Sequence, residues 1–285
     1  MGDDLTVSAA ANRWLAIYVR TQRSAKNMGM AAQRVRDYLD PFMGARALVS
    51  LGADDIREYR LHLESTGLAP RSVRHVLTDA RCMLRWAVET ERLAKSPWPR
   101  RVMPRIQEEP PDRLLDPEVD VVKAIPEPHA FIVRLALATG LRWGELVRAE
   151  ASHVEGGMLV VSHTKSTRVR RVPLSPGIVR EILSRPARLV PYSEGAAGSF
   201  NRFVQRNSGL ARFHVHQLRH TFACRWIEGG GSLPSLQQIL GHASVVTTQL
   251  YAKLSDECIR REAERVHGAM SDWQTPEPTH LIDRV

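Results

Sequence analysis

The chain is short of the materials that secreted and membrane proteins depend on. Cys82, Cys224 and Cys258 are its entire cysteine supply in 285 residues. Three scattered thiols exclude a disulfide framework and point to a reducing, intracellular setting. No apolar run approaches the ~18 residues that a membrane span needs. The opening MGDDLTVSAA lacks the basic-then-apolar pattern of a secretory leader. Acidic residues are also in deficit, 31 against 40 basic, which leaves a net charge of +9 and a pI near 10.0. Such a surface favours a polyanionic partner, most often nucleic acid, with ribosome-like or membrane-surface binding as the other routes. Hydrophobic residues at 43% and charged residues at 25% exclude a disordered or collagen-like chain.

What is present reads first as helices. Apolar positions recur at helical spacing over Ser8 to Gln22 and again over Met28 to Leu39, where Asp40-Pro41 predicts a stop. Asp54 or Asp55 is expected to cap a third helix that runs to about Glu64 and ends at Gly67. A fourth, from about Arg71 to Leu93, has one apolar face of Val73, Val76, Leu77, Ala80, Leu84, Ala87 and Val88. Arg71, Arg74, Arg81 and Arg85, with Thr78 between, share another face. Four arginines with no acid among them repel one another, and a phosphate backbone would relieve that repulsion. The plain reading is a solvated face; the functional one is a DNA-facing helix.

A stretch rich in proline and basic residues follows, with Pro97, Pro99, Arg100, Arg101, Pro104 and Arg105, and it predicts an extended linker. Beyond it, Asp116-Pro117-Glu118 predicts an N-cap and a helix start. A helix to about Thr139 is interrupted near Pro126, and a short helix follows Gly140. Met158 to Ser162 and Arg168 to Leu174 are rich in β-branched residues and flank His163 to Thr167, which predicts a hairpin or small sheet. Pro176 to Met270 is again mostly helical, and the tail from Ser271 has little to pack.

Several features of this second half carry chemistry. TGLRWGEL puts Arg142 and Glu145 after a glycine turn; Lys165 sits at the presumed hairpin tip; HQLRH, residues 216–220, opens a helix; Leu240-Gly241-His242 ends one; Tyr251 follows. Each has a plain reading: an i, i+3 ion pair, a loop lysine, a helix C-cap, a half-buried aromatic. His216, His220 and Cys224 at i, i+4 and i+8 admit a metal reading, against which Arg219 would set a cation beside the ion. The other reading is an anion site, with a His216–Arg219 edge turned outward and Leu218, Phe222 and Trp226 burying the opposite side. Paired arginines suit phosphate oxygens, and histidine and lysine move protons near neutral pH. A tyrosine becomes a nucleophile only with a base and a dense positive field. Together they suggest metal-free attack of a tyrosine on a phosphodiester.

These residues, in this order, resemble the tyrosine recombinase (phage integrase) family. TGLRWGEL is similar to the family's first box, which implies that Arg142 binds the scissile phosphate and Glu145 supports that pocket. HQLRH resembles the second, implying His216 as general acid/base, Arg219 as the second phosphate arginine and His220 as a structural neighbour. LGHASVVTTQLY resembles the closing motif, with His242 bonding the phosphate and Tyr251 as nucleophile. Lys165, eight residues before Pro173, would protonate the leaving 5′-oxygen.

The fold so implied is mainly α with a small antiparallel β-sheet in the catalytic domain (α+β). Residues 1–95 would form a helical core-binding domain, 96–112 a basic proline-rich linker, 113–270 the catalytic domain and 271–285 a flexible tail. By resemblance the two domains clamp a duplex from opposite sides, and the layout is the compact Xer-like one without a separate arm-site domain. The basic positions Arg71, Arg74, Arg81, Arg85, Arg100 and Arg101 are the candidate DNA contacts. Neither metal nor ATP is expected as a cofactor. The expected partner is double-stranded DNA with paired half-sites, loaded by a dimer and synapsed by a tetramer in the bacterial cytoplasm, with no membrane involved. Self-association would use residues 255–270, where Ile259, Ala263, Val266 and Met270 make an apolar stripe. The rivals are a type IB topoisomerase and a non-catalytic DNA-binding regulator.

Overall fold

In the computed structural model, which describes residues 5–107, 109–162, 169–241 and 264, the apolar spacing of the first hundred residues becomes a helical unit. The chain divides into residues 1–108 and 109–285, each with its own core. In the first unit, α1 covers residues 7–22 and α2 residues 25–43; α3 is Ala53–Ser65 and α4 is Pro70–Glu89. Val73, Val76, Leu77, Ala80, Leu84 and Ala87 of α4 pack into the core with Trp14, Leu39 and Tyr59.

Three expectations about this unit need correction. The second helix does not stop at Asp40-Pro41 but runs on to Met43. A widened turn over Val35–Leu39, in which the Asp40 N–H reaches back to the Val35 carbonyl, leaves space for a proline ring that has no N–H to offer. The N-cap of α3 is Gly52, not an aspartate; Asp55 caps from inside the helix by accepting the Gly52 N–H at 2.7 Å. The fourth helix ends at Glu89, short of Leu93.

The arginine face of α4 is exposed at Arg71, Arg74, Arg81 and Arg85. It is not free of acid, because Glu89 lies 3.4 Å from Arg85 one turn on. Behind it, buried Asp79 is held by Arg23 and Arg34 at 2.7 Å each. Val102 is buried in the first core, and Trp98 and Met103 pack against it, so the start of the proline-rich stretch lies on the first unit. Arg100 and Arg101 remain exposed.

The second unit continues with α5 (Asp116–Lys123), α6 (His129–Thr139), α7 (Trp143–Arg148), β1 (Val154–Glu155), β2 (Met158–Val161), β3 (Arg170–Pro173), α8 (Pro176–Leu183), α9 (Ala197–Ser208), α10 (His216–Glu228) and α11 (Leu233–Leu240). The N-cap of α5 is Leu115, one residue before the expected Asp116, because Glu118 accepts the Leu115 N–H at 2.8 Å. Among the described residues the strands form one antiparallel sheet in the order β1-β2-β3, with Val161 opposite Arg170 and Met158 opposite Pro173. The two-residue β1 was not expected. It is too short to carry an alternation of its own, and the turn at Gly156 and Gly157, both at positive φ, folds it back on β2. Phe131, Leu135, Leu146, Leu159, Val172, Phe200, Phe213 and Leu218 belong to the core that joins helices to sheet. Among the described residues no helix is long and apolar enough to cross a membrane.

Candidate active site

The site is built where three chain segments end. Helix α6 stops at Gly140, whose φ of 62° is left-handed. A Cβ there would lie 2.4 Å from the Phe222 ring, so only glycine lets this turn press against α10. The next residues enter α7. Arg142 stands at its N-cap with an extended backbone. Glu145, one turn in, takes the Arg142 backbone N–H at 2.8 Å and one of its guanidinium N–H groups at 3.2 Å.

The third segment is the end of α11. Gly241 breaks that helix in the left-handed conformation, leaving its last carbonyls at the negative end of the helix dipole. Arg219 of α10 donates from Nη1 to the Gly140 carbonyl at 2.7 Å and from Nη2 to the Leu240 carbonyl at 2.9 Å. Arg142 Nη1 reaches the same Leu240 carbonyl at 3.4 Å. Arg219 is therefore buried, only 2% exposed, and the expected outward His–Arg edge is corrected: carbonyls of two segments draw its guanidinium inward. Arg142 keeps 38% of its side chain exposed.

One functional residue was missed. Arg170 on β3 grips Glu145 with both terminal nitrogens, Nη1 to Oε1 at 2.9 Å and Nη2 to Oε2 at 2.7 Å, and its Nε donates to the Ile239 carbonyl at 2.7 Å. Its signal lay in the strand alternation: Arg170 and Val172 point inward while Arg171 and Pro173 point outward. Burial works against the Glu145 charge, but Arg170 first, and then Arg142, outweigh it and hold the carboxyl below its usual range. Two guanidiniums thus share one carboxylate, a surplus of one positive charge, while Arg219 is held by carbonyls.

His216 begins α10. Its backbone is pegged on both sides: the Val215 N–H donates to Asn201 Oδ1 at 2.9 Å, the His214 N–H to Gln217 Oε1 at 2.9 Å, and Gln217 Nε2 to Asp112 Oδ2 at 2.9 Å. Desolvation, and then the charge of His220, Arg219, His214 and Arg142, push the His216 imidazole down to about 4. His216 is itself an exposed residue, and the positive neighbours are the cause that an arriving anion would cancel. The His220 ring meets His216 edge-on at 4.7 Å between centroids, and desolvation and Arg219 push it down too. Both imidazoles are thereby kept neutral at pH 7 in the free protein. Among the described residues no group of three or more His, Cys, Asp or Glu is placed to hold a metal. Cys224, third in the metal reading, packs with Ala223, Leu236 and Leu240, and burial pushes its thiol up to about 11.

The structure brings together Arg142, Glu145, His216, Arg219 and His220. Lys165, His242, Tyr251 and the stripe at 255–270 lie outside the described residues. The exposed arginines of α4 belong to the other unit.

A sequence profile of the phage integrase family matches residues 105–257. The integrase of Escherichia phage P2 is 29% identical over 231 residues, covering 74% of this chain and 67% of its own. The tyrosine recombinase XerC of Chlamydia caviae is 24% identical over 241 residues, covering 75% and 77%. Among solved structures, lambda integrase is similar as a dimer bound to a core site, with a TM-score of 0.70 at 19% identity over 86% of this chain and 95% of that one. The same integrase as a tetramer on a Holliday junction gives a TM-score of 0.65 at 18% identity over 84% and 78%.

Proposed function

The chain belongs to the phage integrase family, and we propose that it works as a site-specific DNA recombinase with Tyr251 as its nucleophile. The observation that carries this reading is the convergence of Arg142 and Arg219 on one carbonyl, that of Leu240, beside the helix turn of His216. Like charges held this close need an anion, and a phosphodiester offers two oxygens to two planar donors. Tyr251 Oη bonds to phosphorus as the bond from phosphorus to the 5′-oxygen breaks. The phenolic proton passes to a base, for which neutral His216 is the candidate. Lys165 gives a proton to the leaving 5′-oxygen, and His242 donates to the phosphate. The products are a 3′-phosphotyrosine and a 5′-hydroxyl. Attack by the partner strand's 5′-hydroxyl reverses the step on new DNA, so one ester is kept throughout and no ATP is consumed.

In the first unit Arg71, Arg74, Arg81, Arg85, Arg100 and Arg101 contact phosphates of the duplex. A dimer occupies a site and a tetramer the synapse, with residues 255–270 docking on a neighbouring protomer. The resemblance to lambda integrase, whose structures include a core-site dimer and a Holliday-junction tetramer, supports that assembly. The deciding experiment is Tyr251→Phe on a nicked suicide substrate. The variant should bind the duplex normally and leave no covalent band on a denaturing gel; an undiminished adduct refutes the assignment. Relaxation of supercoiled DNA without regard to sequence would indicate a topoisomerase instead. A chain truncated after Leu254 should bind one half-site and lose cooperative loading of the second in a band shift.

A further inference from the structure

We propose that Arg170 is a positioning residue whose charge satisfies Glu145 and so leaves the charge of Arg142 free for the scissile phosphate. The proposal rests on the reading of Arg142 as a phosphate ligand.

Glu145 is a buried carboxylate, with 4% of its side chain exposed, and it must have a cationic partner. Two arginines compete for it. Arg170 is 7% exposed and makes the bidentate pair at 2.9 and 2.7 Å. Arg142 is 38% exposed and makes a single side-chain contact at 3.2 Å. A planar fork that meets both carboxylate oxygens takes most of that charge. With Arg170 present, two positive charges face one negative, and the surplus lies with the exposed Arg142. Without it, Glu145 has only Arg142 to pair with, the sum falls to zero, and the guanidinium is drawn down onto the carboxylate.

The fixing of Arg170 shows that this is not an incidental core contact. Its Nε is bound to the Ile239 carbonyl at 2.7 Å. Gly241, at φ +64°, passes so close that an added Cβ would lie 3.1 Å from Arg170 Cδ and 3.2 Å from Nη1. The side chain is thus held from β3, α7 and the end of α11 together. In sequence, Arg170 follows Lys165 by five residues, and Gly241 directly precedes His242. One guanidinium therefore ties the segments that carry Arg142, Lys165 and His242.

The test compares two scissile linkages in the suicide duplex, an ordinary phosphodiester and a methylphosphonate. The methyl group replaces one non-bridging oxygen and removes the charge that Arg142 would meet. Arg170→Met should lower the single-turnover cleavage rate by ~10- to 100-fold on the phosphodiester, by analogy with the loss of one transition-state donor. On the methylphosphonate the loss should shrink to a few-fold. Arg170→Lys keeps the positive charge and should retain most activity. Glu145→Gln combined with Arg170→Met removes both charges and should recover much of the phosphodiester rate. Thermal melting and half-site band shifts establish that each variant is folded.

Arg142→Ala separates the two layers of the argument. If it loses equally on both linkages, the reading of Arg142 as a phosphate ligand fails. If it shows the linkage difference while Arg170→Met loses equally on both, Arg170 is only structural and the proposal is overturned. Should Arg170→Met not fold, the other two variants decide: Arg170→Lys as slow as Arg142→Ala, or a folded double variant without recovery, overturns it.

Discussion

Arg142 and Arg219 carry the same charge toward the same carbonyl, yet their removal should fail in different ways. Arg219 is 2% exposed, and its two terminal nitrogens hold the Gly140 and Leu240 carbonyls at 2.7 and 2.9 Å. Arg219→Ala leaves both carbonyls buried without those donors. At about 1.5–3 kcal/mol for each charged hydrogen bond, the loss is about 3–6 kcal/mol. For a domain of this size each kcal/mol shifts Tm by about 2–4 °C, so the melt should fall by roughly 6–24 °C. Arg142 keeps 38% of its side chain exposed, and Glu145 retains Arg170 when Arg142 is gone. Because Arg170 keeps the buried carboxylate paired, losing the exposed Arg142 should cost only the about 0–1 kcal/mol of an exposed ion pair, and Arg142→Ala should melt within about 4 °C of the parent. Its defect should be kinetic, a loss of ~10²–10³ in cleavage with little change in half-site affinity. The assay is a thermal melt by circular dichroism beside single-turnover cleavage of a suicide duplex. If Arg219→Ala melts with the parent, or Arg142→Ala falls as far as Arg219→Ala, the division into buried anchor and exposed ligand is wrong.

Other outcomes follow from the same geometry. Arg74→Ala and Arg81→Ala should each flatten the salt dependence of DNA binding by about one unit of slope, and Arg85→Ala by less, because Glu89 already engages it; unchanged slopes would make that face merely solvated. Cleavage should survive EDTA, since the proposed charge comes from Arg142, Lys165 and Arg219; loss on chelation, restored by magnesium or zinc, would reopen the metal reading of His216, His220 and Cys224. The fold favours neutral His216 and His220, so below the ordinary histidine value the unfolded chain binds more protons. Their contribution to stability is whole above about pH 6.5 and falls as the pH drops toward the depressed native values. In NMR titrations His216 should protonate well below pH 6.5 in the free protein and move upward on an uncleavable duplex; the same midpoint in both states would sever it from the phosphate.

How much of this was legible in the sequence depends on the range of the interaction. The apolar face of α4 is a local periodicity, and it packed where the spacing put it. The turn at Gly140 is local too, fixed by glycine, and the opening of α10 at His216 is local in part, through the Gln217 side chain on the His214 N–H. Two local failures came where a neighbouring group outweighed the plain signal. Pro41 reads as a helix stop, but a widened turn one step earlier accommodated it. Asp116 reads as a cap, but Glu118 moved the start to Leu115.

Arg219 and Arg170 show the limit most clearly. Helical periodicity sorts residues by apolarity, so it assigns an arginine to the solvent side whatever its partners are. The partners here are carbonyls of Gly140, Ile239 and Leu240, which no side-chain pattern encodes. Those carbonyls are available only because Gly140 and Gly241 end their helices in the left-handed conformation. A better rule joins the two observations: where helix-ending glycines meet arginines that share a phase with buried residues, the arginines belong inside. Arg170 meets that test through its in-phase Val172. Arg219 meets it through Ala223, one turn on along the same helix and 0% exposed. The site is then less a set of charges on a surface than a set of helix ends whose carbonyls hold guanidiniums in place before any phosphate arrives, which is the preorganisation that transition-state stabilisation requires.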